Sequence, residues 1–483
     1  MAETSATTET TATTSRAGTR PAAAWPMIAV IAGVLASVHV AFSGGYGYHR
    51  DELYFVRAGR ELDWGYPDQP PLTPLLARLV TELFGDSLVA LRLLSALSVG
   101  VVVVLTALLA REFGGGRGPQ LLAGAAMAVS TYLTAVGHLM STATFDLLAW
   151  TALSWLIVRA LRTGGPSWLA VGVVAAIGLQ NKVLVGFLLG GLLVGLLLVG
   201  PRAALRSPWP WLAGVIALLA WAPFLVWQTA HGWPQLDVAT SIAAGSSGTS
   251  EPWYLFIPFQ LVLISPVLVP VWVAGLVRLL RDPQLRLYRA FAVAYAALAI
   301  LFLLTGGKPY YLCGLYPVLL AAGAEPALRW VGRGATRLRS ALLAAALVTS
   351  AAVSAVLFLP IVPVESLAAT PIVDINHDAG ETVGWRPFAE TIGQAVARPA
   401  ERRAGHRRGA HRQLRRGWRH RPLPRRARLA AGLQRAQRLR PVGPAAGDGR
   451  SDDRRRLPSR AAATMVRIGR TGRPDRQRRR AGQ

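Results

Sequence analysis

The chain has 483 residues, 52% of them hydrophobic and 16% charged, with a mean hydropathy of +0.36. Ordinary soluble domains carry about a quarter charged residues, so that class is excluded. The net charge of +27 is unevenly placed: residues 401–483 hold 27 of the 52 basic residues and 5 of the 25 acids, leaving an apolar body close to neutral, which excludes a basic nucleic-acid-binding core.

Residues 1–25 are polar and read as a disordered N-terminus. Apolar stretches of the roughly 17–25 residues needed to cross a bilayer then follow densely. They lie near 27–43, 87–110, 119–137, 143–161, 167–180, 183–200, 208–227, 255–277, 290–305, 309–325 and 340–359. The expected fold class is an all-α polytopic membrane protein with about 11 transmembrane helices over 26–359. Arg16 and Arg20 precede the first stretch and no small-residue cleavage site follows it, so it reads as an uncleaved helix. The single cysteine, Cys313, excludes an intramolecular disulfide and a multi-cysteine zinc site.

Loop arginines set the orientation, because moving them across the membrane is disfavoured. An N-terminus inside keeps Arg111, Arg117, Arg159, Arg162, Arg202, Arg206, Arg278 and Arg281, among others, on the cytoplasmic side. The loops at 44–86 and 228–254 then face outward, and so do the turns holding Lys182 and Lys308, the only lysines in the chain. The glycines at 114–116 lack a phosphate-binding motif, and no inner loop is long enough for a nucleotide-binding domain. Group transfer on the outer face of a plasma membrane would therefore need an activated donor carried by the lipid.

The first outer loop places Asp51 and Glu52 close after the first span, where they could deprotonate an acceptor hydroxyl or meet a phosphate through a metal. The same pair also fits a solvated acidic patch beside Arg50. Arg57 is a further candidate for a donor phosphate. Asp68 sits among Pro67, Pro70 and Pro71, before an apolar stretch through Leu79 that suits a helix along the membrane surface. Asp146 stands near the outer end of the fourth span, where a dipole-stabilised acid is an equally fair reading. Yet an ionisable group inside a span costs about 2.5–3.5 kcal/mol at the centre and usually marks a functional cavity. Lys182 follows Gln180 and Asn181; Lys308 lies in the turn Gly306-Gly307-Lys308-Pro309-Tyr310-Tyr311. Two ammonium groups on the acidic face suit an anionic leaving group. His231, in a loop rich in tryptophan, is a metal-ligand candidate, although a hydrogen-bonded interfacial histidine fits as well.

Together these features resemble the multi-spanning glycosyltransferases of family 39: the early Asp51-Glu52, the Tyr66-x-Asp68-x-Pro70-Pro71-Leu72 segment, Asp146, Asn181-Lys182 and Gly307-Lys308-Pro309-Tyr310-Tyr311. That family includes protein O-mannosyltransferases and aminoarabinose transferases acting on lipid A, and the chain looks closest to an actinobacterial branch. The resemblance covers roughly 25–395. It implies the C-type glycosyltransferase fold and transfer of a sugar from a polyprenyl-phosphate donor to an extracytoplasmic protein, lipid or glycan acceptor, with inversion. It implies Asp51 as base or acceptor-positioning carboxylate, Glu52 as its support, Asp146 as a further acid, Lys182 facing the donor phosphate and Asp68 as a ligand of a divalent metal (Mg, Mn or Zn). Gln69 departs from the pattern, since lipid A transferases have a lysine there; Lys308 would compensate.

Residues 360–400 read as the start of an extracytoplasmic domain. From Glu401 the chain is dominated by Arg, Ala, Gly and Pro, too poor in apolar side chains to repay ordering. A frameshift near residue 400 in a GC-rich gene accounts for that break, leaving a truncated or scrambled C-terminal region. A transporter or lipid flippase is the rival reading of so many spans. The crowding of charge at one membrane edge, the long first outer loop and the lack of a repeat speak for the enzyme.

Overall fold

The computed structural model describes residues 20–245 and 252–394. The basic stretch at 401–483 and most of the N-terminal segment lie outside them, as do the expectations attached to both. The described chain is helical, with no β-strand among the described residues.

In chain order the helices are α1 (Trp25–Phe42), α2 (Arg50–Arg60), α3 (Leu72–Phe84), α4 (Leu88–Glu112), α5 (Arg117–Ala128), α6 (Thr131–His138), α7 (Thr142–Thr163), α8 (Ser167–Leu179), α9 (Leu184–Leu198) and α10 (Pro208–Ala230). They continue as α11 (Pro234–Ala243), α12 (Phe256–Ile264), α13 (Val269–Arg281), α14 (Arg289–Leu304), α15 (Tyr316–Gly332) and α16 (Thr336–Phe358). Three short turns close the series: α17 (Val364–Leu367), α18 (Ile372–Ile375) and α19 (His377–Glu381).

Each of the expected apolar stretches coincides with a helical element, but they are not equal. Among the described residues, seven elements are long and apolar enough to cross a membrane, and two bent pairs raise the number to nine if each is one crossing. The helices α8 and α9 have 13 and 15 residues, short of the roughly 20 that a crossing needs. The chain is a multi-pass membrane protein.

The bends have local causes. Between α5 and α6 the axis turns by 57°, and the Val129 carbonyl at the break accepts hydroxyl hydrogen bonds from Ser350 (2.6 Å) and Ser354 (3.2 Å) of α16. Buried in a bilayer, such a carbonyl needs a partner from a neighbouring helix. The 81° turn before α13 falls at Ser265, whose φ of 121° precedes Pro266. Elsewhere the bundle closes to backbone contact: a Cβ on Gly275 of α13 would lie 1.9 Å from the Leu319 carbonyl oxygen of α15, and one on Gly323 would lie 1.9 Å from that of Val271. Small residues permit this approach between apolar helices.

The first long loop folds into α2 and α3. Helix α3 turns Leu75, Leu79 and Leu83 outward and buries Ala77 and Val80, so an apolar row at i, i+4 and i+8 faces away from the protein. That arrangement fits a helix lying along a membrane surface. Beyond α16, Leu367, Ile372 and Ala379 form a small core against Tyr46, and the Tyr46 hydroxyl donates to the Val362 carbonyl at 2.8 Å. The segment after the last long helix is thereby fastened to the start of the first loop.

Candidate active site

The sequence sets Asp51 on the first turn of α2 through a reciprocal cap. The His49 Nδ1 accepts from the Asp51 amide (3.2 Å), and the Glu52 carboxylate accepts from the His49 amide (2.8 Å). Glu52 is fully buried. It meets Arg92 of α4 through two bonds of 2.8 Å and also accepts from the Met140 amide at 3.0 Å. Arg92 in turn donates to the carbonyls of Ser43 (2.9 Å), Gly45 (3.3 Å) and Gly47 (2.6 Å). Glu52 is thus spent on holding α2 and the strand of chain entering it. Asp51, next to it, is half exposed, with Arg50 Nε at 3.3 Å.

Lys182 is placed by its neighbour. The Asn181 side chain, buried, accepts from the Thr73 hydroxyl at 2.7 Å and donates to the Thr142 carbonyl at 2.9 Å. The turn between α8 and α9 is therefore tied to the starts of α3 and α7. From it the Lys182 Nζ stands 5.4 Å from the Tyr310 ring centroid and 5.7 Å from that of Tyr311, within the range of cation–π attraction. The Lys308 Nζ lies 5.9 Å from the Tyr310 ring. Gly306, at φ 68°, lets the Lys308 turn pass against Ala243 at the end of α11.

Charges from distant stretches converge here. Asp146 and Asp51 both act on Lys182; Lys182 and Asp51 both act on Lys308. Burial holds the Lys182 ammonium below its usual range, with Asp146 opposing. Burial and the Lys182 charge bring Lys308 down to about 8. Asp146 is buried, and its Oδ1 has no hydrogen-bond partner. Asp68 accepts from the Tyr54 hydroxyl at 2.6 Å; burial, aided by Asp51, raises its carboxyl above the usual carboxylate range. Gln69 is buried, and its backbone carbonyl accepts from the Tyr66 amide at 2.9 Å.

The other candidates stand apart. Arg57 is exposed and pairs with Glu61 one turn on. His231 stacks on Trp227, with centroids 4.0 Å apart, and its Nδ1 bonds the Trp227 carbonyl. Among the described residues, the three groups whose ligand atoms do gather, all within 4.8 Å of one another, are His49, Asp378 and Glu381. Neither Asp68 nor His231 belongs to that set. Burial disfavours the His49 charge, but the Asp378 hydrogen bond and the charges of Asp51, Asp378 and Glu381 outweigh it and raise its pKa. The sequence reading missed Arg92, Asp378 and Glu381. An arginine within a predicted span was the available signal for the first, since such a charge requires a partner.

With this geometry in hand, similarity to known proteins is informative. The fold matches the crystal structure of ArnT from Cupriavidus metallidurans bound to undecaprenyl phosphate, at TM-score 0.52 and 17% identity over 74% of this chain and 74% of that one. The apo structure of the same enzyme matches at TM-score 0.50 and 15% identity, with the same coverage. Helical order and bundle together are those of the C-type glycosyltransferase fold that this enzyme has. A family model described as dolichyl-phosphate-mannose-protein mannosyltransferase matches residues 68–227, the stretch carrying Asp68, Asp146 and Lys182. No curated protein sequence matches the chain. The transporter alternative gains no support from these matches.

Proposed function

We propose that the protein transfers a sugar from a polyprenyl-phosphate donor to an acceptor hydroxyl on the outer face of the plasma membrane, with inversion at the anomeric carbon. The observation that carries this reading is the seating of both ammonium groups over the Tyr310 ring, Lys182 Nζ at 5.4 Å and Lys308 Nζ at 5.9 Å from its centroid, with the charges of Asp146 and Asp51 acting on Lys182. The ligand of the matching ArnT crystal structure, a polyprenyl phosphate, supports the donor class.

Asp51, half exposed, takes the acceptor proton. The acceptor oxygen bonds the anomeric carbon on the side opposite the phosphate, and the bond from that carbon to the phosphate oxygen breaks with its electron pair passing to the phosphate. Lys182 and Lys308 face the charge that develops there, seated on Tyr310 and Tyr311. Asp146 opposes the effect of burial on the Lys182 ammonium. Glu52 serves as a positioning residue for Asp51. Asp68, hydrogen-bonded to Tyr54, shapes the neighbouring wall.

A divalent ion, if the enzyme uses one, fits His49, Asp378 and Glu381 better than Asp68 and His231. The His49 Nε2 lies 3.1 Å from the Glu381 Oε2, which Arg50 Nε also approaches at 2.9 Å, and 3.6 Å from the Asp378 Oδ1; one imidazole with two carboxylates suits zinc or manganese. The ion would neutralise the two acids and clamp α19 to α2. Binding through Nε2 requires the proton on Nδ1, which surrenders the His49 cap on the Asp51 amide.

The test is incubation of the purified protein with polyprenyl-phospho-sugars and separation of the lipid products. Asp51→Asn should lose about 10²–10⁴-fold in transfer with unchanged thermal unfolding. Full transfer by that variant would remove Asp51 from its role.

A further inference from the structure

The end of the bundle away from Asp51 holds a second concentration of charge. Along α4, Arg92 and Glu112 are about 30 Å apart at 1.5 Å per residue. Glu112 is buried, and three guanidinium groups converge on it. Arg162 of α7 lies 3.1 Å from its Oε2, Arg20 lies 3.6 Å from the same oxygen, and Arg111 lies 3.9 Å from Oε1.

One carboxylate balances one guanidinium, so two positive charges remain uncompensated in this knot. Its other partners are neutral: Arg20 donates to the Tyr288 hydroxyl at 3.2 Å, and Arg111 to the Pro21 carbonyl at 2.7 Å. The buried Arg20 Nε faces the Glu112 Oε2 at 3.6 Å, beyond hydrogen-bond length. The neighbouring Arg278 is occupied by Asp282 and by the carbonyls of Ala322 and Phe113. The side chains of Arg20, Arg111 and Arg162 are 24%, 30% and 34% exposed, so their outer faces remain open at the height where a membrane helix ends.

We propose that Arg20, Arg111 and Arg162 bind the phosphate of an anionic phospholipid headgroup in the leaflet on this side. Half-desolvated excess charge calls for a counter-ion, and at this depth the phosphate oxygens of a phospholipid are the matching acceptors for guanidinium N–H groups. A choline headgroup carries its own cation to the knot and is disfavoured; a glycerol headgroup is not. The site is separate from the proposed sugar transfer and stands or falls without it.

The test uses the full chain, delipidated in detergent, with lipid binding read by native mass spectrometry and by thermal unfolding. Phosphatidylglycerol should bind and raise the unfolding temperature, while phosphatidylcholine and millimolar inorganic phosphate should not. Each guanidinium removed should weaken phosphatidylglycerol binding about fivefold, so Arg20→Gln with Arg162→Gln should weaken it about 25-fold. The matching lysine pair should retain most of it, which separates lost charge from lost fold. Glu112→Gln, which frees the arginines, should bind at least as tightly as wild type. Equal binding of phosphatidylcholine, equal stabilisation by inorganic phosphate, or undiminished binding by the glutamine pair would overturn the proposal.

Discussion

Glu52 and Arg92 form a two-point ion pair from which water is excluded on both sides: two N–H···O bonds of 2.8 Å join side chains that are 0% and 1% exposed. The pair lies directly beneath Asp51, and the remaining Arg92 donors hold the three carbonyls of the chain entering α2. Breaking a buried pair by removing one partner leaves a bare charge, at a cost of about 3–5 kcal/mol. Glu52→Gln should therefore lower the unfolding temperature sharply and abolish transfer. The double change Glu52→Leu with Arg92→Met removes the bare charge but leaves the carbonyls of Ser43, Gly45 and Gly47 and the amides of His49 and Met140 without these partners, so it should recover only part of the stability and little of the activity. Thermal melts followed by size exclusion, paired with transfer assays, check both.

Lys308 supplies a pH signature. Its pKa, brought down to about 8 by burial and by Lys182, means that the ammonium is charged below that pH and neutral above it. Affinity for a phosphate-bearing donor should fall as pH rises through about 8, appearing as a rise in KM. Lys308→Arg should flatten that limb. Lys182→Met removes the repelling charge and should move the limb to higher pH while weakening donor binding at all pH values.

The His49, Asp378 and Glu381 group predicts a response to metal and to mutation. Zinc should raise the unfolding temperature of wild type, and chelator should reverse the rise. Asp378→Asn with Glu381→Gln should abolish the response. Isothermal titration of the chelated protein with zinc gives the stoichiometry directly, and a wild type indifferent to zinc would retire the assignment.

The α13–α15 contact predicts a purely structural loss. A side chain at Gly275 has no room beside the Leu319 carbonyl, so Gly275→Leu should destabilise the bundle by about 1–3 kcal/mol or more. The effect should appear as a lowered unfolding temperature, with donor KM unchanged in whatever fraction remains folded.

Much of this architecture was legible in the chain. The apolar stretches are long and separated by arginine-bearing loops, so the positions of the helices follow from hydropathy alone. Lys182 and Lys308 were conspicuous by rarity, and Asp51 and Asp146 by their place beside apolar runs. What escaped was the partnering. Nothing local to Glu52 says that Arg92, forty residues on, will engage both its oxygens and leave Asp51 as the half-exposed acid of the pair. Asp378 and Glu381 were part of an expected outer domain, but only tertiary packing through Tyr46 and Leu367 brings them to His49. The shortness of α8 shows in the sequence, where its apolar stretch spans only 167–180. The bends at Val129 and Ser265 do not, because the breaks occur inside otherwise continuous apolar sequence.

The hydroxyls of Ser350 and Ser354 give the last long helix a duty that its lipid-facing surface conceals. Without α16 the Val129 carbonyl would sit bare in hydrocarbon, at a cost of several kcal/mol, and the kink between α5 and α6 would lose its support. Because α6 ends at His138, beside Arg92, loosening that kink would reach the loop that carries Asp51. A gene product ending after α15 should thus misassemble at the opposite end of the sequence, in the loop that carries Asp51.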